Sequence, residues 1–183
     1  SLNAYGLNVY VNTTMSYVSI IIEFGFMLSA TKDIVSAKNN KEEMGRIVGD
    51  VISAKLLLAL VSFVLLIGMI LQIDLLRSYY LFTLLAFLAT ALNIFLPDFL
   101  FRGLEEMEVL TYRFLFCKTV STILIFIVIK SDADILMIPT LNVLSSIIAV
   151  IMTLYCVYKR GIHIKMSGIH SAVVKLKDGF IYF

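Results

Sequence analysis

Residues 56–73 read LLLALVSFVLLIGMILQI, a run of eighteen residues without a charged side chain. At 1.5 Å per residue, a helix of this length spans ~27 Å, close to the ~30 Å hydrocarbon core of a bilayer. Its only polar side chains are those of Ser62 and Gln72, too few to give a helix a water-facing side. The run therefore predicts a transmembrane α-helix, and this decides the fold class.

The rest of the chain has the same character. Hydrophobic residues make up 60% of its 183 residues and charged residues 15%, with a mean hydropathy of +0.96. Soluble domains are about 45–50% apolar and about 25% charged. The apolar runs are continuous rather than alternating, which favours an all-α integral membrane protein. We expect about five spans, at residues 7–30, 47–73, 79–101, 111–129 and 135–158.

Lysine and arginine are unevenly distributed among the connecting segments. One side of the membrane would carry eleven of the fifteen, namely Lys32, Lys38, Lys41, Arg46, Arg102, Arg113, Lys159, Arg160, Lys165, Lys175 and Lys177. The opposite side would carry only Arg77 and Lys130. Basic loops stay in the cytoplasm. The loops 31–46 and 102–113 and the tail 159–178 are therefore predicted to be cytoplasmic.

Two of these cytoplasmic segments have helical patterns of their own. Apolar residues at helical spacing from Met44 to Val51 predict a helix that begins in the first loop and enters the second span. In the basic tail 159–178, an apolar stripe of Ile169, Val173 and Leu176 predicts an amphipathic helix held by anionic membrane lipids. An ordinary basic loop is an equal alternative for the tail.

The last residues, 179–183, begin a new apolar run and are expected to start a further span. Since the chain also lacks an initiator methionine, we expect it to be part of a longer protein.

Four ionisable residues fall within or at the edge of the expected spans: Glu23, Lys55, Asp98 and Lys118. A charge in mid-membrane costs about 2.5–3.5 kcal/mol, so such residues usually pair or face a cavity. Glu23, Lys55 and Lys118 are each expected ~10–12 Å from the cytoplasmic end of their helix. We predict that Glu23 pairs with one lysine and that the other faces a substrate cavity. Lysines reaching back to the headgroups are the alternative. Asp98 is expected at the interface beside Arg102.

Uncharged polar residues add secondary candidates. Asn12, Asn93 and Asn142 each lie inside a span, where hydrogen bonds between helices are the commoner explanation. The opening of the first span is polar enough to face protein or a water-filled cavity rather than lipid. Pro97 and Pro139 are expected to bend or end their helices.

Evidence for catalysis is weak. No nucleophile motif, nucleotide-binding loop or metal-ligand spacing occurs in the sequence. Asp132 and Asp134 form a short acidic pair best explained as a solvated turn. We therefore expect a transporter rather than an enzyme, with no cofactor, no metal and no nucleic-acid partner.

Several stretches resemble one family of transporters. They are Tyr5-Gly6, Glu23-Phe24-Gly25-Phe26, Ser29-Ala30-Thr31-Lys32-Asp33-Ile34, Asn40-Lys41-Glu42-Glu43, Ala54-Lys55-Leu56-Leu57-Leu58, Pro97 through Gly103-Leu104-Glu105-Glu106-Met107, and Ile138-Pro139-Thr140-Leu141-Asn142. In order and spacing they resemble the Wzx family of O-antigen and polysaccharide repeat-unit flippases, within the multidrug/oligosaccharidyl-lipid/polysaccharide exporter superfamily.

The resemblance implies a MATE-like fold of two six-helix bundles around a central cavity, of which this chain would form most of the first. It implies a bacterial cytoplasmic membrane protein that moves undecaprenyl-pyrophosphate-linked oligosaccharides by alternating access. Polysaccharide polymerase or assembly proteins are candidate partners. Lys55 and Lys118 would bind the pyrophosphate, and Glu23 would pair with a lysine or couple transport to H⁺ or Na⁺.

Two other functions remain open at this point. A MATE-type drug exporter would favour acidic and aromatic groups in its cavity, whereas a phosphate-carrying substrate favours lysine. A non-transporting membrane subunit of a polysaccharide assembly complex would use its charges for helix packing alone.

Overall fold

The computed structural model describes residues 2–128 and 135–180, which are almost entirely helical. Its α-helices are α1 Leu2–Glu23, α2 Phe26–Ser36, α3 Lys41–Gln72, α4 Asp74–Ser78, α5 Tyr80–Leu92, α6 Asp98–Gly103, α7 Met107–Val128, α8 Met137–Lys159 and α9 Ile169–Phe180. A 3₁₀ turn, Asn93–Phe95, lies between α5 and α6. The described residues contain no strand, which confirms the predicted all-α class. Lys130, Asp132 and Asp134 lie outside the described residues.

Four helical segments of the described chain are long and apolar enough to cross a membrane. They are Lys41–Gln72, Tyr80–Gly103, Met107–Val128 and Met137–Lys159. Each coincides with one of the five expected spans. Their outer faces expose large apolar side chains such as Leu60, Val64, Phe126 and Ile151. A surface this apolar suits lipid rather than water, and the protein is a multi-pass α-helical membrane protein.

The first expected span, residues 7–30, is not one continuous helix. α1 ends at Glu23 and α2 begins at Phe26, because Phe24 and Gly25 adopt positive φ angles of 34° and 72°. Such angles cannot continue a right-handed helix, and glycine adopts them at little cost. α1 has 22 residues, but its asparagines and threonines make it less apolar than the four segments above. Its crossing of the membrane stays a prediction.

Proline acts differently in the two spans that contain it. Between α5 and α6, the helix is interrupted at Leu96 and Pro97, as expected for a residue without a backbone N–H. Pro139, in contrast, is the third residue of the continuous helix α8. The first-turn N–H groups of a helix have no intrahelical acceptor, so proline is tolerated there.

The second span begins inside the preceding loop, as predicted from its apolar spacing. Asn40 caps α3, since its Oδ1 accepts hydrogen bonds from the backbone N–H groups of Glu42 and Glu43 at 3.1 and 3.2 Å. The two glutamates also place negative charge at the positive end of the helix dipole. α3 then packs against α1 and α9, and α8 packs against both α5 and α7.

The three segments predicted to be cytoplasmic meet at one end of the bundle. Ion pairs join Lys38 to Glu105 at 3.3 Å, Lys165 to Glu42 at 2.6 Å and Lys175 to Asp33 at 2.5 Å. The first two pairs are exposed, and pairs of that kind contribute at most about 1 kcal/mol each. These ion pairs are informative about topology, because they place the loops 31–46 and 102–113 and the tail 159–178 at the same end of the bundle.

The tail is neither a free loop nor a simple amphipathic helix. Residues 162–168, called the strap below, run without helical structure across α3. The backbone N–H of Lys165 donates to the carbonyl oxygen of Gly45 at 3.1 Å. A Cβ on Gly45 or Gly49 would lie 2.0 or 2.1 Å from a strap carbonyl oxygen. Only glycine at these two positions allows the strap to approach so closely.

The helix after the strap, α9, packs one side against α2 and α3. Ala172 is buried and Gly179 packs against the backbone of Phe24, whereas Val173 is 51% exposed. Of the predicted stripe, Leu176 packs against the core and Ile169 lies where only the backbone is described. Residues 179–180 belong to α9, and the start of a further span at 179–183 stays a prediction. Residues 181–183 lie outside the described part.

Candidate functional site

A polar pocket lies where α1, α5, the 3₁₀ turn, α7 and α8 converge. Its volume is about 370 Å³, and its polar lining consists of Asn12, Thr90, Asn93, Arg113, Cys117, Lys118, Ser121, Asn142, Ser145 and Ser146. The pocket brings together Lys118 and the three asparagines that were singled out in the sequence. None of the described side chains that line it is acidic. Its described lining therefore carries amide, hydroxyl and cationic groups.

Lys118 is the lysine of this pocket. It lies on α7 with an exposed side chain, and its ammonium makes no hydrogen bond or ion pair with the described residues. The neighbouring polar groups have local partners. Asn12 Nδ2 donates to Asn8 Oδ1 at 2.8 Å, and Ser146 Oγ donates to the carbonyl oxygen of Ala89 at 3.3 Å. The charge of Lys118 is thus available to an anionic ligand.

Lys55 and Glu23 form a separate site. Lys55 Nζ lies 2.8 and 2.9 Å from the two carboxylate oxygens of Glu23. The lysine side chain is only 2% exposed and that of Glu23 is 37% exposed. Neither residue lines the polar pocket. Pairing of Glu23 with one lysine is therefore confirmed, while a substrate-binding role for Lys55 or Glu23 stays a prediction.

The chain break after α1 places this ion pair. α1 ends at Glu23, and the following residues turn the chain into α2. Glu23 therefore lies at the end of α1, beside the middle of α3, from which Lys55 projects. A carboxylate at a helix C-terminus opposes the helix dipole, and the ammonium of Lys55 compensates for it.

Asp98 is held differently from the prediction. Instead of Arg102, its partner is Arg113, whose Nη1 and Nη2 donate to Asp98 Oδ1 and Oδ2 at 2.7 and 2.8 Å. Nη1 also donates to Thr153 Oγ1 at 3.1 Å. The side chains of Arg113 and Asp98 are 12% and 25% exposed. The α6–α7 turn brings Asp98 close to Arg113, which explains the choice of partner.

Arg113 is the pocket residue that sequence reasoning missed. It was grouped with the cytoplasmic loop 102–113, but α7 begins at Met107 and includes it. It lines the same pocket as Lys118, which follows it by five residues on α7. That spacing was visible in the sequence, whereas the position of α8, which closes the pocket, was not.

A second, larger cavity lies between α1 and α3. Its volume is about 710 Å³, and its lining is mostly apolar and aromatic, including Tyr5, Tyr10, Tyr17, Leu65 and Met69. No charged side chain lines it in the described part of the chain. The polar pocket is therefore the better candidate for a charged ligand.

These features define a multi-pass α-helical membrane protein with a cationic, amide-lined pocket between its helices. The family model described as "Polysaccharide biosynthesis protein" matches residues 1–180. The chain belongs to this family, which confirms the resemblance drawn from its sequence motifs.

Two curated relatives match over nearly the whole chain. Both are named "Putative O-antigen transporter": one from Escherichia coli (strain K12), 27% identical over 98% of this chain, and one from Shigella dysenteriae, 25% identical over 94%. In each case the match covers 43% of the relative's length. The chain therefore spans less than half the length of these relatives. No solved structure matches it.

Proposed function

We propose that this chain forms part of a flippase that moves polyprenyl-pyrophosphate-linked glycan units across the bacterial cytoplasmic membrane. The observation that carries the proposal is Lys118, a cation without a partner in the described residues, in a pocket lined by amides and hydroxyls. Family membership and the names of the two relatives support a role in polysaccharide transport rather than catalysis.

The chemistry of the pocket suits a diphosphate group. A lysine ammonium offers three N–H donors, and each asparagine amide offers two. Phosphate oxygens accept only, so a donor-rich lining complements them. Charged hydrogen bonds gain strength away from bulk water, where the effective dielectric constant is lower. Lys118, Asn93 and Asn142 are the side chains we assign to the phosphate groups.

The same lining counts against a cation exporter. A site for cationic drugs would need carboxylates facing the cavity, and the described lining has none. Glu23 and Asp98 are each already paired with a cation, and the buried Asp50, which does not line the pocket, accepts a hydrogen bond from the backbone N–H of Ser167.

Orientation and coupling complete the proposal. The loops 31–46 and 102–113 and the tail 159–178 would face the cytoplasm, because they collect most of the basic residues and meet at one end. We assign Glu23 as the acid for coupling to H⁺ or Na⁺, since it is the more exposed partner of its ion pair.

The proposal is tested with Lys118→Ala in the full-length transporter, expressed in cells that lack their own copy. We expect most surface polysaccharide to be lost while the amount of protein in the membrane stays normal. Lys118→Arg, which keeps the charge, should retain export. Lys177→Ala, at an exposed lysine on α9, is the matched control and should export normally.

Unchanged export by Lys118→Ala would overturn the assignment of Lys118. Loss of the protein itself would instead support a packing role, as in a non-transporting assembly subunit.

A further inference from the structure

Arg113 lines the polar pocket, yet an internal carboxylate holds its guanidinium. The bonds to Asp98 and Thr153 use three of its five N–H groups. Two donors have no acceptor among the described residues. The pocket therefore contains two cations on one helix, one free (Lys118) and one engaged (Arg113).

The spacing of these two cations suits one anion with two charged groups. Five residues of α-helix separate them by a rise of ~7.5 Å, and both side chains reach the same cavity. Cations placed in this way can contact neighbouring phosphates from two directions. A single phosphate would engage only one of them well.

Carboxylate and phosphate compete for arginine because the planar guanidinium binds either of them through two parallel hydrogen bonds. Asp98 holds Arg113 in this bidentate way. A phosphate that enters the pocket meets the same group and can take over the same donors. Asp98 is partly exposed and sits next to the helix break at Pro97, so it is not enclosed on all sides.

We propose that Arg113 is the second cation of the diphosphate site and that Asp98 is an internal anion which the ligand displaces. The inference rests on the proposed function and deepens it. It makes Arg113 a ligand-binding residue and Asp98 a residue that sets affinity. Displacement would also break the ion pair between Arg113 on α7 and Asp98 on α6, so ligand binding would alter how these two helices are held together.

The experiment measures the dissociation constant of inorganic pyrophosphate for the purified full-length transporter by calorimetry. Asp98→Asn preserves the shape of the side chain but removes the competing charge. We expect it to bind pyrophosphate three- to tenfold more tightly than the natural protein. Arg113→Lys removes the bidentate fork while keeping one charge, and should bind at least threefold more weakly.

Glu106→Gln is the matched control. Glu106 also forms an ion pair with an arginine, Arg160, and neither residue lines the pocket. Its pyrophosphate affinity should equal that of the natural protein. Vesicles of phosphatidylglycerol are titrated in parallel, because a lipid headgroup carries the same phosphate chemistry. Tighter binding of Asp98→Asn to these vesicles, with no change for pyrophosphate, would contradict a diphosphate site.

Unchanged or weaker pyrophosphate binding by Asp98→Asn would overturn the displacement model. If Asp98→Asn does not fold, the pyrophosphate affinity of Arg113→Lys provides the test. An affinity equal to that of the natural protein would then overturn the ligand-binding role of Arg113. The proposed function fails in a different way, namely if the natural protein binds no pyrophosphate or if Lys118→Ala leaves its binding unchanged.

Discussion

Two lysines on different transmembrane helices have opposite surroundings in this protein. Lys55 is almost fully buried and holds both carboxylate oxygens of Glu23. Lys118 opens into a polar pocket and has no partner within the described chain. The depth of the two residues predicts that one pairs with Glu23 and that the other faces a cavity, without deciding which is which. The comparison shows that the depth of a residue in the membrane identifies a charge with a high free-energy cost. Only the surroundings of that residue show whether the charge is already neutralised.

The region around Lys55 is closed by backbone conformation and close packing. The Phe24–Gly25 break fixes Glu23, Gly179 of α9 packs on the Phe24 carbonyl, and the strap presses against Gly45 and Gly49. The Lys118 region is open by comparison, since it contains a pocket of about 370 Å³ whose lining includes several short polar side chains. We therefore expect substitutions to affect stability in the first region and ligand binding in the second.

The largest expected effect on stability is that of Glu23→Gln, which leaves Lys55 buried without a counter-charge. Removing one partner of a buried pair costs about 3–5 kcal/mol, and the partial exposure of Glu23 places this case near the lower end. The measurement is the free energy of unfolding of the full-length protein in mixed micelles, titrated with denaturing detergent.

Glu23→Gln combined with Lys55→Met should restore most of that loss, because the stranded charge is removed. If Glu23→Gln alone unfolds like the natural protein, the pair does not stabilise this region.

The next largest effect is expected at the strap. Gly49→Ala would place a methyl group 2.1 Å from the Lys165 carbonyl oxygen, so the backbone must move. Such overpacking costs about 1–3 kcal/mol, and we expect a lower unfolding temperature together with faster proteolysis of the tail.

The control for the strap is Gly68→Ala on the same helix, where a Cβ meets nothing within 4 Å. It should be neutral or stabilise by about 0.5–1 kcal/mol, since alanine favours a helix over glycine. Equal behaviour of the two variants would mean that the strap does not lie on α3.

The smallest effect on stability is expected for Lys118→Met. No described partner is lost, and an uncompensated charge is removed from a membrane helix, so the free energy of unfolding should stay the same or rise. The same detergent titration measures it. A loss above about 1 kcal/mol would show that Lys118 has a structural partner, and the contrast with Lys55 would then disappear.

Much of the fold could be predicted from the sequence because lipid imposes long apolar helices. Four expected spans coincide with helices of the structure, and the early start of α3 followed from the spacing of Met44 and Val51. The break in the first span was missed, although Gly25 was visible, because one glycine does not interrupt a helix unless the packing demands it. The path of the strap depends on close packing at Gly45 and Gly49, and the sequence alone does not show which segment packs on these two glycines.

Less of the candidate site could be predicted, because it depends on helix rotation and partner choice. The sequence identified Lys118 and the three asparagines, which the bundle brings together. It could not show that Glu23 would choose Lys55, or that Asp98 would choose Arg113 over Arg102. Glu23 meets Lys55 only once α1 and α3 are packed, and Asp98 meets Arg113 only once the α6–α7 turn has formed.

Pyrophosphate binding to the full-length protein tests the contrast between the two lysines most directly. The two variants to compare are Lys118→Ala and the paired change Glu23→Gln with Lys55→Met, both confirmed as folded. We predict that Lys118→Ala loses binding at least tenfold while the paired variant binds within twofold of the natural protein. Retained binding in Lys118→Ala with loss in the paired variant would contradict the account, and would place the ligand at Lys55 instead.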